Sequence, residues 1–209
     1  MTAAQITTFA VGMLAVTNPI GNLAIFAGLT AERSEAERRT TAITCAVAVL
    51  VIFLVVTWVG DLILKAFGIT VAAFEGAGGL IVLLLGLAML HSRTSAMHHT
   101  AAEADEAQSK ESIGVVPLAI PIVAGPGALT TIIIQGTKFP GIPARIEMSL
   151  VGLGISALIL VAFLASSAIS RWLGTAGINI VTRIMGIILA AIGVDMIGHA
   201  VRGLMSIHA

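Results

Sequence analysis

The chain has 209 residues, 57% hydrophobic and 11% charged, with 11 basic side chains against 11 acidic ones and no net charge at neutral pH. Soluble domains carry about twice that share of charge, so this composition, with a mean hydropathy of +1.05, excludes a water-soluble globular fold. The charge balance points to no nucleic-acid partner, and the single cysteine, Cys45, excludes an intrachain disulfide.

Six apolar segments follow one another at about 5–29, 41–64, 71–92, 113–136, 147–170 and 178–200. Each has about the 20 residues that a helix needs to cross a bilayer. The expected fold is therefore an all-α, polytopic membrane protein with six transmembrane helices. The start, MTAAQITTF, has no basic residue ahead of its apolar run, which argues against a cleaved signal peptide. The first segment contains AVTNPIGNLA (15–24), in which Asn18, Pro19 and Gly21 all disfavour a continuous helix. A charged loop, TAERSEAERRT (30–40), leads to the uncharged second span. After the third span comes HSRTSAMHHTAAEADEAQSKES (91–112), a long polar stretch that reads as a flexible linker. The fourth span holds PLAIPIVAGPGALTT (117–131), with three prolines and two glycines. TKFPGIP (137–143) and RWLGTAGIN (171–179) read as the remaining turns. Trp58 and Trp172 fall near span ends, where interfacial aromatics collect.

The linker, taken as 94–112, divides the chain into units 1–93 and 113–209. A shift of 107 positions, without gaps, lays Pro19 on Pro126, Val16 on Val123 and Arg38 on Arg145. It also lays Gly79, Gly86 and Met89 on Gly186, Gly193 and Met196. Three spans per unit is an odd number, so the second unit enters the membrane from the opposite side. Two inverted three-helix repeats, with helices one and four broken, is the expected plan. Arg33, Arg38, Arg39, Arg93, Lys110, Arg171 and Arg183 fall on one side, Lys65, Lys138, Arg145 and Arg202 on the other. That bias puts the first side in the cytoplasm and both termini outside.

A break in a spanning helix leaves carbonyls and N–H groups that lipid cannot satisfy, so both breaks are expected to face protein or water. The half-helix after a break offers N–H groups to a carboxylate, and the half before it offers carbonyls to an ammonium group or a cation. A zwitterion needs both. The candidate substrate-binding residues are therefore Thr17, Asn18, Pro19, Gly21 and Asn22 at the first break, with Gly125, Pro126, Gly127, Thr130 and Thr131 at the second. The plainer alternative is a kink at Pro19 and close helix packing at the glycines.

On these stretches, NPIGNLAIF (18–26), FEGAGGLIVLLLGLAML (74–90), VPLAIPIVAGPGALTTII (116–133) and VTRIMGIILAAIGVDMI (181–197), the sequence resembles the MarC family, also called the neutral amino acid transporter family. The resemblance spans nearly the whole chain. It implies a multi-pass protein of a bacterial-type inner membrane, and transport of small neutral amino acids such as glycine or alanine on a sodium or proton gradient. Glu75 departs from the basic or neutral residue of many relatives, so the resemblance assigns it no role.

Ionisable groups inside spans are functional candidates by default. Glu75 and Asp195, the latter with His199 four residues on, are the candidates for ion coupling by Na+ or H+. Asp61 and Lys65 read as an interfacial pair, and Glu75 and Arg183 as too far apart to meet. His91, His98 and His99 have no standard ligand spacing, so no metal site is assigned. No cofactor is expected besides a coupling ion, and the expected partners are the substrate, the lipid bilayer and a second copy of the chain in a homo-oligomer. The absence of HExxH, GxSxG and paired mid-span carboxylates argues against an enzyme. A membrane channel, or an exporter of another small solute, is the competing reading.

Overall fold

The computed structural model describes residues 1–30, 32–90 and 113–207, and the described residues form helices and turns with no strand. Helix α1 (Ala3–Thr17) starts on a capping box in which Thr2 accepts from the Gln5 N–H and Gln5 accepts from Thr2. It ends where Asn18 turns left-handed, at φ 41° and ψ 63°. Helix α2 (Asn22–Leu29) completes the first apolar segment. Helix α3 (Glu35–Ala66) begins on a second capping box, Ser34 with Glu37. The S-x-x-E pattern thus pulls six residues of the expected loop, 35–40, into the helix. Helix α4 is Val71–Leu90.

The fourth apolar segment is two pieces. Helix α5 (Gly114–Val123) is a wide π-type coil, with N–H groups of Leu118 and Ala124 bonded five residues back to Ile113 and Ala119. Val116 and Ile120 inside it are extended, at φ −127° and −124°. Each directly precedes a proline, and a residue before proline is driven out of the helical region. Helix α6 (Pro126–Lys138) restarts with Pro126 in its first turn, where no N–H is missed. Helix α7 is Ile142–Leu164 and α8 is Ser166–Ile207. Residues 171–179, expected as a turn, are instead helical, interrupted at Gly174 alone (φ 61°, ψ 176°). The long linker and His91, His98 and His99 lie outside the described residues.

Among the described residues, four helices are long and apolar enough to cross a membrane: α3, α4, α7 and the 176–205 part of α8. Their outer faces carry exposed apolar rows, Val47, Val51 and Val55 on α3 and Ile180, Ile184, Ile187 and Val194 on α8. Such rows suit a lipid solvent, which makes the chain an integral, multi-pass membrane protein.

Two cores hold the helices. The larger joins α1, α2 and α5 to α3, α6 and α7 through Phe9, Met13, Phe26, Phe53, Leu118, Ile132 and Phe163. Phe26 and Phe163 stack with centroids 4.4 Å apart. The smaller core sets α4 against α8 through Val82, Met89, Leu189 and Met196. There the backbones touch. A Cβ added to Gly79 would lie 2.9 Å from the Gly193 carbonyl and 2.9 Å from Met196 Cβ. One added to Gly186 would lie 2.8 Å from the Gly86 carbonyl and 3.1 Å from Met89 Cβ. Small residues permit this approach, and dispersion then holds helices that lipid does not drive together.

An ion pair ties α3 to α7 at one end of the bundle. Asp61 accepts from Arg145 Nη2 at 3.0 Å, and Lys65, its expected partner, stands back at 3.9 Å. Arg145 also donates to the Trp58 carbonyl at 2.6 Å and lies 5.9 Å above the Trp58 ring. The guanidinium wins because its fork reaches both acceptors at once.

Candidate functional site

The two interruptions lie side by side. Asn18 through Gly21 separates α1 from α2, and Ala124 with Gly125 separates α5 from α6. A Cβ on Gly127 would lie 3.0 Å from Val16 Cγ1, two residues before Asn18, and 2.7 Å from Val82 Cγ2 on α4. Gly127 therefore packs against neighbours and leaves no open space beside it.

The polar groups around the first break satisfy one another. Asn18 Oδ1 accepts from the Gly21 N–H at 3.1 Å, an Asx-type turn. The Asn18 amide also reaches the Met89 sulfur at 4.0 Å. Asn22 Nδ2 donates to the Thr17 carbonyl at 2.9 Å, and the Thr17 hydroxyl donates to the Met13 carbonyl at 2.8 Å. Thr17, Asn18 and Asn22 are all buried, as is Pro19. Gly21 needs its missing side chain, because a Cβ there would run into the Asn18 amide.

At the second break Gly125 is partly buried and Pro126 exposed. Thr131 donates to the Gly127 carbonyl at 2.8 Å, and buried Thr130 packs on Gly78 of α4. The structure thus brings Val16, Val82, Gly127, Thr130 and Gly78 together into a plug between the interruptions.

Clefts open at both ends of the bundle. One, of about 400 Å³, lies between α1, α4, α6 and α8 and is lined by Thr8, Gly12, Thr131, Gln135, Glu75 and His199 among others. The other, of about 300 Å³, is at the opposite end, between α3 and the start of α5, and includes Thr40, Thr41, Thr44 and Gly114.

The larger of these clefts holds both candidates for ion coupling, Glu75 and Asp195. Glu75, whose side chain is 10% exposed, takes an ion pair from Lys138 Nζ at 3.1 Å. His199 Nδ1 lies 3.8 Å from Glu75 Oε1, and its Nε2 lies 3.9 Å from Asp195 Oδ1. Lys138 was readable only as a loop charge and His199 only as a neighbour of Asp195. The i, i+4 spacing of Asp195 and His199 was a usable signal. Nothing local links either to Glu75, because that depends on how α4, α6 and α8 meet.

A family model described as MarC family integral membrane protein matches residues 3–205. The membrane protein YhcE of Escherichia coli (strain K12) is 34% identical over 197 residues, covering 94% of this chain and 91% of that one. YvbG of Bacillus subtilis (strain 168) is 36% identical over 203 residues, covering 94% of each. The inner membrane protein MarC of Citrobacter koseri is 33% identical over 204 residues, covering 90% of each. All three are named as membrane proteins and none as an enzyme. No solved structure matches the chain.

Proposed function

The chain belongs to the MarC family of integral membrane proteins, and from that premise we propose that it is a secondary transporter of small neutral amino acids. Glycine and alanine are the expected substrates, moved on a sodium or proton gradient. The observation that carries this reading is the pair of interrupted helices, one from each half, packed on each other with a cleft at either end. In this reading the plug of Val16, Val82 and Gly127 is the closed state. Opening it frees the first N–H groups of α6 for a carboxylate and the last carbonyls of α1 for an ammonium group. Thr17, Asn18, Pro19, Gly21, Asn22, Gly125, Pro126, Gly127, Thr130 and Thr131 would then surround the ligand.

The α4–α8 crossing supports the inverted-repeat plan. A shift of 107 turns the Gly79–Gly193 contact into the Gly186–Gly86 contact, and the structure has both. Residue i meeting j while the equivalent of j meets that of i is what a two-fold axis produces. With α1–α2 and α5–α6 counted as crossings, the chain has six spans, and Met1 and Ile207 fall at the end that holds the Asp61–Arg145 pair. We place the protein in the inner membrane, with that end outside.

Counterflow tests the function. Proteoliposomes loaded with unlabelled alanine should accumulate labelled alanine or glycine well above protein-free vesicles, and an imposed sodium or proton gradient should drive net uptake. No exchange of either amino acid under any gradient would overturn the reading.

A further inference from the structure

The larger cleft joins four ionisable groups from three helices. Exposure falls in order along three of them: the Asp195 side chain is 72% exposed, His199 43% and Glu75 10%. The imidazole has a carboxylate at each nitrogen, 3.9 Å from Nε2 and 3.8 Å from Nδ1. A small side-chain movement closes either gap to hydrogen-bond length. An imidazole with an acceptor at both nitrogens can take a proton at one and release a different proton at the other.

The surroundings set the charge balance. Lys138 of α6 faces Glu75 from the other side, Arg202 stands one turn beyond His199 and is exposed, and α1, the remaining wall, carries no charged side chain. Within the cleft itself two carboxylates, Glu75 and Asp195, face one ammonium group, Lys138, and one imidazole, His199.

We infer that His199 is a proton-exchange residue, carrying a proton from solvent at Asp195 to the buried Glu75 carboxylate and so releasing Lys138 from Glu75. The steps balance. A protonated Asp195 gives its proton to His199 Nε2 and returns to carboxylate. The imidazolium gives its Nδ1 proton to Glu75 Oε1, leaving a neutral imidazole and a neutral carboxylic acid. Neutral Glu75 no longer holds the Lys138 ammonium. Lys138 ends α6, the half-helix that begins at the second interruption, so its release removes the ionic tie between that end of α6 and α4, while the packing of Gly127 on Val82 and Thr130 on Gly78 holds the other end. The assignment of this event to transport rests on the transporter reading above; the proton-driven release of Lys138 does not.

The release is measured without substrate. Spin labels are placed on Ala73→Cys of α4 and Phe139→Cys beyond α6, in a Cys45→Ala background in nanodiscs, and repeated with Ala77→Cys in place of Ala73→Cys. The distance distribution should lengthen or broaden as pH falls from about 8 to about 4, a range that spans the ordinary charge changes of both histidine and glutamate. Glu75→Gln should hold the long distribution at every pH, because it is permanently neutral. After a rapid drop in pH, His199→Gln should reach its new distribution much more slowly than the parent, because a relay sets the rate of proton delivery and not its end point. A distribution that ignores pH, or a Glu75→Gln protein indistinguishable from the parent, overturns the inference. In proteoliposomes, alanine-driven acidification of a trapped pH dye should be seen in the parent and lost in His199→Gln. Alanine exchange that requires sodium and moves no protons would overturn the proton assignment while leaving the transporter reading standing. Absence of exchange together with the pH-dependent distance change would overturn the transporter reading alone.

Discussion

Asn18 illustrates how a single residue can make a chain interruption affordable inside a membrane. Its left-handed backbone is a conformation that costs most L-residues about 1–2 kcal/mol, and asparagine tolerates it through local hydrogen bonding. Its side chain also occupies the Gly21 N–H, which would otherwise be one of the unsatisfied donors that lipid punishes. Asn18→Ala should therefore lose both, destabilising the protein by about 2 kcal/mol or more. Asn18→Gly should cost about 1 kcal/mol, because glycine keeps the backbone conformation and loses only the side-chain bond. Denaturant unfolding of the two purified variants in detergent checks the order. If they are equal, strain at this position is not a term. The glycines divide in the same way. A Cβ on Gly86 would lie 2.6 Å from the Ala190 backbone nitrogen, whereas one on Gly154 meets nothing within 4 Å. Gly86→Ala should cost about 1–3 kcal/mol by forcing α4 and α8 apart, while Gly154→Ala should be neutral or stabilising by up to about 1 kcal/mol.

At the scale of elements, start signals did more than apolar length. Ser34 with Glu37 opens α3 well before its first long uncharged run, because the cap satisfies the helix's first donors wherever it stands. Ser34→Ala should speed amide hydrogen exchange in the first turn of α3 by a factor corresponding to about 1 kcal/mol, with exchange near Phe53 unchanged. Equal acceleration along the whole helix would mean that the cap acts on global stability. The segment 113–138 shows the opposite case, where prolines preclude an ordinary helix. Extended residues at Val116 and Ile120, directly before prolines, widen the coil into π-type turns and end it before Gly125. The restart at Pro126 uses the only helical turn in which proline loses nothing.

For the whole molecule, the closest meeting of the two halves is the α4–α8 crossing, where glycine backbones touch at two points. A protease site inserted after Ala101 should, once cut, leave the two halves comigrating in mild detergent. Gly76 and Ala200 offer a covalent check, since a Cβ on Gly76 would lie 3.2 Å from Ala200 Cβ, a few tenths of an ångström short of the roughly 3.8 Å of a disulfide. In a Cys45→Ala background, oxidised Gly76→Cys/Ala200→Cys should hold the cut halves together even in denaturing detergent. Halves that separate in mild detergent would show that the crossing does not hold the molecule together.

Apolar length and composition by themselves determined that this chain is a helical membrane protein, and proline and glycine in 15–24 and 117–131 determined where its helices break. Both are local effects: a run of about 20 apolar residues must be satisfied within its own backbone, and proline acts on its nearest neighbours. Only the tertiary structure decided what fills the breaks, because Val16, Val82 and Gly127 come from three helices. It also decided that Glu75 pairs with Lys138, 63 residues away, and faces His199. No sequence spacing carries that information, since ionic partners are chosen by which helix ends the packing brings together, and that packing is set by small residues whose pattern looks much the same on every helix.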